Sequence, residues 1–542
     1  MQIKYFVAFV LIFCYVNTLS QGNFDVVVYG GTPGGFTAAI QAAKMGKKVA
    51  LLEPSGHVGG ILVNGLGITD IDSQPKFQNS VAVGGLALQF YRRIAKHYGR
   101  DAEFDAAIKA GIKNHDLWPH EPGVAEKIIN AWLKENKVEV FVNARLTENS
   151  DAVKKKKTEI TRIKMENGEL FSARMFIDAT YEGDLLAAAG ISTVVGREGN
   201  DKYGERLNGI RAETTHAQFL VKVNPYVDPE DPESGVIPTI QDEPLGTPGG
   251  PDKRIQAYCF RMCLTQDSEN KIPILKPSNY DRNQYEIYIR YLKGGGNLLR
   301  PWVSVPNGKS DLGAWHDLSH NLYGMNMDYP ESNYATRKRV YEEHKDFTQG
   351  LFYFLANDPE VGALDPELQK EWALWGLAKD EFTDNGGWPR MFYVRSARRM
   401  VSDYVITEHH ILKPNPIPVE DPVGVAFWPT DVHSVRRIVK DGYAYNEGFV
   451  FDGDFWEPLP VSFRALVPKA TECTNLLTPT CPSSSYIAYG AIRLEWTFMV
   501  LGQSAGAAAV RAIDEKTDIQ KINYGLLKEL LVKEGQILSI KK

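Results

Sequence analysis

The sequence predicts an α/β protein organised on a parallel sheet, and three stretches carry that expectation. An apolar run, Phe24-Asp25-Val26-Val27-Val28-Tyr29, passes through Gly30-Gly31-Thr32-Pro33-Gly34-Gly35 into an alanine-rich segment. A second run, Val49-Ala50-Leu51-Leu52, ends on Glu53. Alternating runs then extend from Val138 to Ala179, broken by an Asn167-Gly168 turn.

Strand, glycine turn, helix, strand and terminal acid in that order make a βαβ unit suited to a dinucleotide. Glycine is needed where strand turns sharply into helix, and again where backbone lies against the helix with no side chain between. The free N–H groups at the helix start suit a pyrophosphate. Glu53 stands where a carboxylate accepts from the hydroxyls of an adenosine ribose. Thr32 occupies the place of the second glycine of G-x-G-x-x-G, leaving Gly31 or Gly34 to supply the close approach, while Ala38, Ala39, Ala42 and Ala43 allow tight helix packing. A glycine pair follows in His57-Val58-Gly59-Gly60. Flavin dinucleotides run their pyrophosphate and ribityl chain along such a loop, so bare backbone is useful there. Residues 61–75, with Asn64, Gly65, Gly67, Thr69 and Asp70, are then expected to pass beneath an isoalloxazine ring.

A β-meander is predicted over Val138–Leu146, Thr158–Met165 and Leu170–Ala179, because Asn-Gly between alternating runs is a strong hairpin signal. Lys154–Lys157 reads as a solvated hairpin tip. Residues 211–440 hold many aromatics and prolines and no second glycine fingerprint, which marks a mixed α+β substrate domain inserted between cofactor-domain parts at 23–210 and 441–542. Within it, Gln256–Thr265 reads as a strand with Tyr258, Phe260, Met262 and Leu264 on one face and Arg261 on the other. Near the end, Leu476-Leu477 is a strand, and a small-residue helix runs from about Ile492 through Gly502-Gln503-Ser504-Ala505-Gly506. Its N-terminus suits negative charge on a reduced flavin.

With 542 residues, 43% of them hydrophobic, the chain can bury a large core, and a net charge of −6 argues against nucleic acid as a partner. Lys4, the apolar stretch Tyr5–Val16 and the small polar residues after it read as a signal peptide over 1–22. A periplasmic or secreted protein with no stable membrane insertion after cleavage is the expectation. Cys259 and Cys263, about 13 Å apart if both lie on one strand, cannot bridge each other. Cys473 and Cys481 are either paired or reduced. No spacing fits an iron–sulfur or zinc site, so no metal is expected.

On Tyr29–Gly35, His57–Gly60, Asp178-Ala179-Thr180-Tyr181-Glu182-Gly183-Asp184, Gln256-Ala257-Tyr258 with Phe260-Arg261, Tyr393-Val394-Arg395 with Ala397-Arg398-Arg399, and Gly502–Gly506, the chain resembles the FAD-dependent oxidoreductase family common among secreted bacterial proteins. That family belongs to the glutathione-reductase-like flavoprotein fold and is grouped with heterodisulfide-reductase-type flavin subunits. The resemblance implies a Rossmann-type FAD-binding domain with an inserted β-meander. It implies FAD contacts at Gly30, Gly31, Thr32, Gly34, Gly35, Glu53, His57, Gly59, Gly60, Ala144, Ala179, Thr180, Arg493, Leu494 and Gln503. Arg390, after Trp388-Pro389, departs from relatives that carry histidine there.

A flavin accepts hydride, so the protein must supply a proton acceptor and an anion stabiliser. The candidates are His316, with His320 four residues on, Arg261 on its apolar strand, and Asp184 beside the cofactor strand. Arg261 serves either a structural ion pair or a substrate anion. Arg395, Arg398 and Arg399 more simply knit the parts together, and His57 is a candidate covalent flavin tether. The expected activity is hydride transfer between FAD and a small polar organic substrate, with a sugar or polyol as candidate on the strength of Trp302, Trp315, Trp372 and Trp388, and with an unidentified electron acceptor. Reduction of an activated double bond, or glycan binding without catalysis, are the alternatives.

Overall fold

The computed structural model describes residues 21–214, 216–314 and 317–540. The proposed signal segment up to residue 20 and His316 lie outside them. Seven strands form the main sheet: β1 (Gln21–Tyr29), β2 (Val49–Glu53), β3 (Glu139–Val142), β4 (Val153–Lys156), β5 (Glu159–Lys164), β6 (Leu170–Asp178) and β7 (Leu476–Leu477). Their order is β3-β2-β1-β6-β5-β4, with β7 also on β6. The outer edge of β6 is shared. Its start pairs antiparallel with β5, Ile163 opposite Phe171, and its end pairs parallel with β7, Leu476 opposite Phe176.

The meander therefore differs from the expected one. Residues 139–142 join the parallel core beside β2, and the third meander strand is Val153–Lys156, which takes up most of the lysine run. Lys157, at φ 57°, makes the turn. A strand with one open edge tolerates lysines on it because they discourage pairing with another chain.

Two helices cover the sheet centre, α1 (Pro33–Lys44) and α2 (Glu495–Glu515). A Cβ on Gly502 would stand 2.1 Å from the Gly34 oxygen, and one on Gly506 would stand 2.3 Å from the Ala38 oxygen. The two backbones are thus in direct contact, and the Thr37 hydroxyl lies 2.9 Å from the Met499 carbonyl across the seam. Nearly every residue of α2 from Glu495 to Val510 is buried, which suits a helix apolar on all sides.

The middle of the chain supplies a four-stranded sheet in the order Lys271–Ile272, Gly376–Ala378, Met262–Thr265, Lys309–Leu312, with a long helix over Tyr334–Asn357. The expected strand from Gln256 is regular only from Met262; before that, Ala257 N donates to Ser434 O at 3.1 Å and Cys259 O accepts from Tyr393 N at 2.8 Å. Both faces of this stretch are buried, which its alternation did not indicate. All four cysteines after Cys14 are buried, unbridged thiols. Cys473 contacts Asn475 and Cys481 contacts the Thr180 carbonyl, so the two look to different partners. Among the described residues, no helix is long and apolar enough to cross a membrane.

Replacing Gly506 by valine forces the helices apart and is expected to destabilise the protein by about 1–3 kcal/mol, seen as a lowered thermal midpoint. Gly56→Ala, at an exposed glycine whose added Cβ would meet only Asn143 at 3.9 Å, is expected to leave the midpoint within error.

Candidate active site

The turn after β1 is built by contacts that no side chain would survive. Gly30 adopts φ 100°, and a Cβ on Gly35 would fall 1.8 Å from the Gly30 oxygen. Thr32 caps α1 and accepts from Gly35 N at 3.3 Å, while its hydroxyl donates to the Ala179 carbonyl at 2.6 Å. That second bond ties the turn to the end of β6 and accounts for threonine in a glycine position. Gly31 N donates to Glu53 Oε2 and Ser55 N to Glu53 Oε1, both at 2.7 Å. Of the two alternative close-approach glycines, Gly31 lies against Glu53, and Gly34 serves the packing of α2.

The second glycine loop lies on the first: Gly59 N donates to Gly31 O at 2.7 Å, and Gly60 sits over Thr32. Among the described residues, the N–H groups of Thr32 and Gly34 have no protein acceptor. Unpaired donors at a helix start form a cradle for an anion. Burial raises the Glu53 carboxyl from its ordinary range, against the opposing bonds from Ser55 and Gly31. Each of its oxygens keeps a lone pair for a further donor.

Beyond the glycine pair, a cavity of about 640 Å³ opens between loop 64–74 and the middle segment. Its wall carries Asp70, Arg261, Tyr393, Asp431, His433 and Arg493. Arg261 holds Asp311 with two bonds of 2.8 Å, and Asp311 Oδ2 in turn accepts from Gly67 N at 2.9 Å and Ile68 N at 3.0 Å. Arg261 thus pairs with a buried acid, and its side chain also lines the cavity. Arg493 binds the Asp431 carbonyl at 3.0 Å, its carboxylate at 3.2 Å and the Tyr393 hydroxyl at 3.2 Å. Burial, reinforced by Arg395, Arg493 and Arg261, holds His433 well below the ordinary histidine range, so it is neutral at pH 7.

Asp70 stands apart from these pairs. Among the described residues its carboxylate has no hydrogen-bond donor; its neighbours Ser73 and Asn79 bind only its carbonyl. Its side chain is exposed to the cavity, and the loss of bulk water around it there, with Asp431 adding, raises its carboxyl above the usual range against Arg261 and Arg493.

Glu495 begins α2 beside Arg493 and accepts from the Tyr181 hydroxyl at 2.8 Å, which itself accepts from Ile61 N at 3.2 Å. Burial pushes Glu495 up to about 8. A neutral carboxyl there leaves the positive end of the helix uncancelled.

Several expected site residues are placed elsewhere. Asp184 is gripped by Arg337 at 2.7 Å through both oxygens and by Arg398 at 3.1 Å, in a separate cleft of about 350 Å³. It is a structural ion-pair centre, and the catalytic assignment is corrected accordingly. Gln503, two turns into α2, spans α1 and helix Gly85–His97, accepting from Leu86 N at 2.7 Å and donating to Gln41 at 3.1 Å. Both nitrogens of His57 are taken, by Glu126 at 2.6 Å and Asp384 at 3.0 Å, so no ring nitrogen is left for a flavin bond. His320 bonds the Phe260 carbonyl and packs on Phe352, outside the cavity. Ala144 N donates to Glu53 O, Ala179 receives Thr32, Thr180 braces Asp178, and Leu494 caps α2; all four stand behind or beside the cradle. Arg398 and Arg399 knit segments together through the Glu182 carbonyl and Glu198.

A model of the FAD-dependent oxidoreductase family matches residues 25–531. The chain belongs to that family. Its relatives include a dihydrolipoyl dehydrogenase of Trypanosoma brucei brucei, 54% identical over 41 residues, which are 8% of this chain and 9% of that one. Another, from Corynebacterium glutamicum, is 29% identical over 119 residues, 21% and 22% of the two chains. The matched stretches thus span roughly a tenth to a fifth of these relatives' lengths. Among solved structures, the L-proline dehydrogenase of P. horikoshii aligns at 16% identity with a TM-score of 0.24, over 33% of this chain and 59% of that one.

FAD is the cofactor, and the cradle fits it. The N–H groups of Thr32 and Gly34 suit its pyrophosphate and Glu53 its adenosine ribose, while α2 presents its positive end near the cavity. The sequence did not assign Asp70, Asp431, His433 or Glu495. Asp431 and His433 alternate on one short run, Thr430-Asp431-Val432-His433, which was the available signal.

Glu53→Ala is expected to weaken FAD binding at least about tenfold, since two charge-assisted bonds depend on it; reconstitution of apoprotein measures it. Glu495 has an ordinary value of 4.5 and about 8 when folded, so its contribution to stability is full below pH 4.5 and lost as pH rises through 8. The Glu495→Gln variant is expected to flatten that decline in a melting series across the same range.

Proposed function

We propose that the enzyme oxidises a small hydroxylated molecule, a sugar or polyol, in the 640 Å³ cavity, with Asp70 as proton acceptor. The observation that carries this is the free Asp70 carboxylate, placed among Arg261, Arg493 and Asp431 with a raised pKa. An unpaired carboxylate facing the cavity, with its pKa raised, is suited to taking a hydroxyl proton.

Bound FAD supplies the hydride acceptor. Asp70 takes the hydroxyl proton as the substrate C–O bond becomes a carbonyl. Arg493 and Arg261, each fixed by its own acid, hold positive charge where the oxygen becomes anionic. Neutral His433 offers a hydrogen bond without adding charge. Trp302 and Trp428 in the wall give aromatic faces for C–H surfaces of a sugar, and Asp70 and Asp431 accept from its hydroxyls. Trp372 and Trp388, buried in the core, do not serve this purpose. The apolar leader at 5–16 supports a place outside the cytoplasm, with an electron acceptor reoxidising the flavin.

Anaerobic mixing of holoenzyme with glucose, sorbitol and L-proline is expected to bleach the flavin with a polyhydroxyl compound, faster as pH rises and Asp70 deprotonates. Asp70→Asn should slow bleaching by about 10²–10⁴-fold with FAD retained. An undiminished rate overturns the role of Asp70; bleaching by proline alone overturns the substrate class.

A further inference from the structure

Arg261, Arg395 and Arg493 all line the cavity. Arg261 is paired with Asp311 and Arg493 with Asp431. Among the described residues, Arg395 has no carboxylate of its own. Its Nη1 donates to the Ala257 carbonyl and, at 3.2 Å, to the Asn321 amide oxygen. Its Nη2 donates to the Ala314 carbonyl at 2.8 Å and to Cys259 Sγ at 3.1 Å, and Nε finds no acceptor. The three oxygens are neutral, and the sulfur alone can ionise.

A guanidinium keeps its proton at any ordinary pH, so a buried one without an anion is stranded. Arg395 and Cys259 are each 1% exposed. Backbone pairing brings the sulfur to this place: Cys259 O accepts from Tyr393 N at 2.8 Å, which lays residue 259 against the segment that carries Arg395. Burial raises the Cys259 thiol, yet Arg395 first, then His320 and Arg261, outweigh it and bring the group down to about 6. The other unbridged cysteines go the opposite way, because burial pushes Cys263, Cys473 and Cys481 up. Among the described residues, Cys259 is the cysteine that accepts from a guanidinium.

We propose that Cys259 is a thiolate in the folded protein and the counterion of Arg395, a positioning residue that fixes this third arginine in the cavity wall. The step is an acid dissociation: the S–H bond breaks, the electron pair stays on sulfur and the proton passes to solvent, with no change of oxidation state. Each wall arginine then has its own anion. This pairing is independent of which molecule the flavin oxidises.

The test uses holoenzyme and two signals of the cysteine itself, the S–H stretching band in the infrared and the ultraviolet absorbance of a thiolate. In the wild type, lowering the pH through about 6 is expected to add one S–H oscillator per chain and remove one thiolate. Cys259→Ala should show neither change, with flavin content confirming that it is folded. The folded value of about 6 lies below the ordinary 9.0, so the thiolate's stabilisation is full above pH 9 and lost as pH falls through 6. Across that window the wild-type melting temperature should rise relative to Cys259→Ser. At about pH 8, Cys259→Asp, which keeps an anion, should melt above Cys259→Ala, whereas a cysteine that only fills space would tolerate alanine better than a buried acid. A wild type whose S–H band and thiolate absorbance stay constant between about pH 5 and about pH 8 overturns the pair, whether or not any variant folds. Alanine melting above aspartate overturns it as well.

Discussion

Backbone-to-backbone contact between α1 and α2 is the constraint on which the site depends. Gly34 and Ala38 on one helix meet Gly502 and Gly506 on the other with no room for a side chain. Chain positions more than 450 residues apart are thereby held in register, as the Thr37–Met499 contact shows. Because the helices lie this close, the start of α2 comes to the start of α1, and the Tyr181–Glu495 bond closes the space between them. Arg493, one residue before the α2 cap at Leu494, is delivered into the cavity by the same geometry.

The charges of the cavity are arranged so that one acid stays available. Arg261 is spent on Asp311, and Asp311 also anchors the loop backbone at Gly67 and Ile68. Arg493 is spent on Asp431. Breaking either pair would strand a buried charge, at a cost of about 3–5 kcal/mol, so both are expected to be fixed features of the wall. Asp70 hangs on the loop that Asp311 immobilises, close enough to both arginines to feel them and bonded to neither. The loop position was legible beforehand, as the segment following the glycine pair. The availability of Asp70 was not, because it depends on partners that other acids have already claimed.

Local signals were read well where the physics is local. Gly30 and Gly35 are required by the turn itself, and Glu53 is placed by the length of β2. The lysine run misled because edge position, not polarity, decides whether lysines sit in a strand or a turn, and edges are defined only by the whole sheet. Asp184 and Gln503 misled for a related reason. Each belongs to a motif near the cofactor strands in sequence, yet Arg337 comes from a helix about 150 residues away to claim the first, and the amide of Gly85's neighbour Leu86 claims the second.

The sequence alone determined the βαβ cradle, the anion-binding helix start and the ribose acid, since each follows from bond geometry within some thirty residues. Tertiary structure alone decided which charged side chains are consumed by partners and which face a cavity. Pairing is a competition among groups distant along the chain, settled only when the elements carrying them are packed.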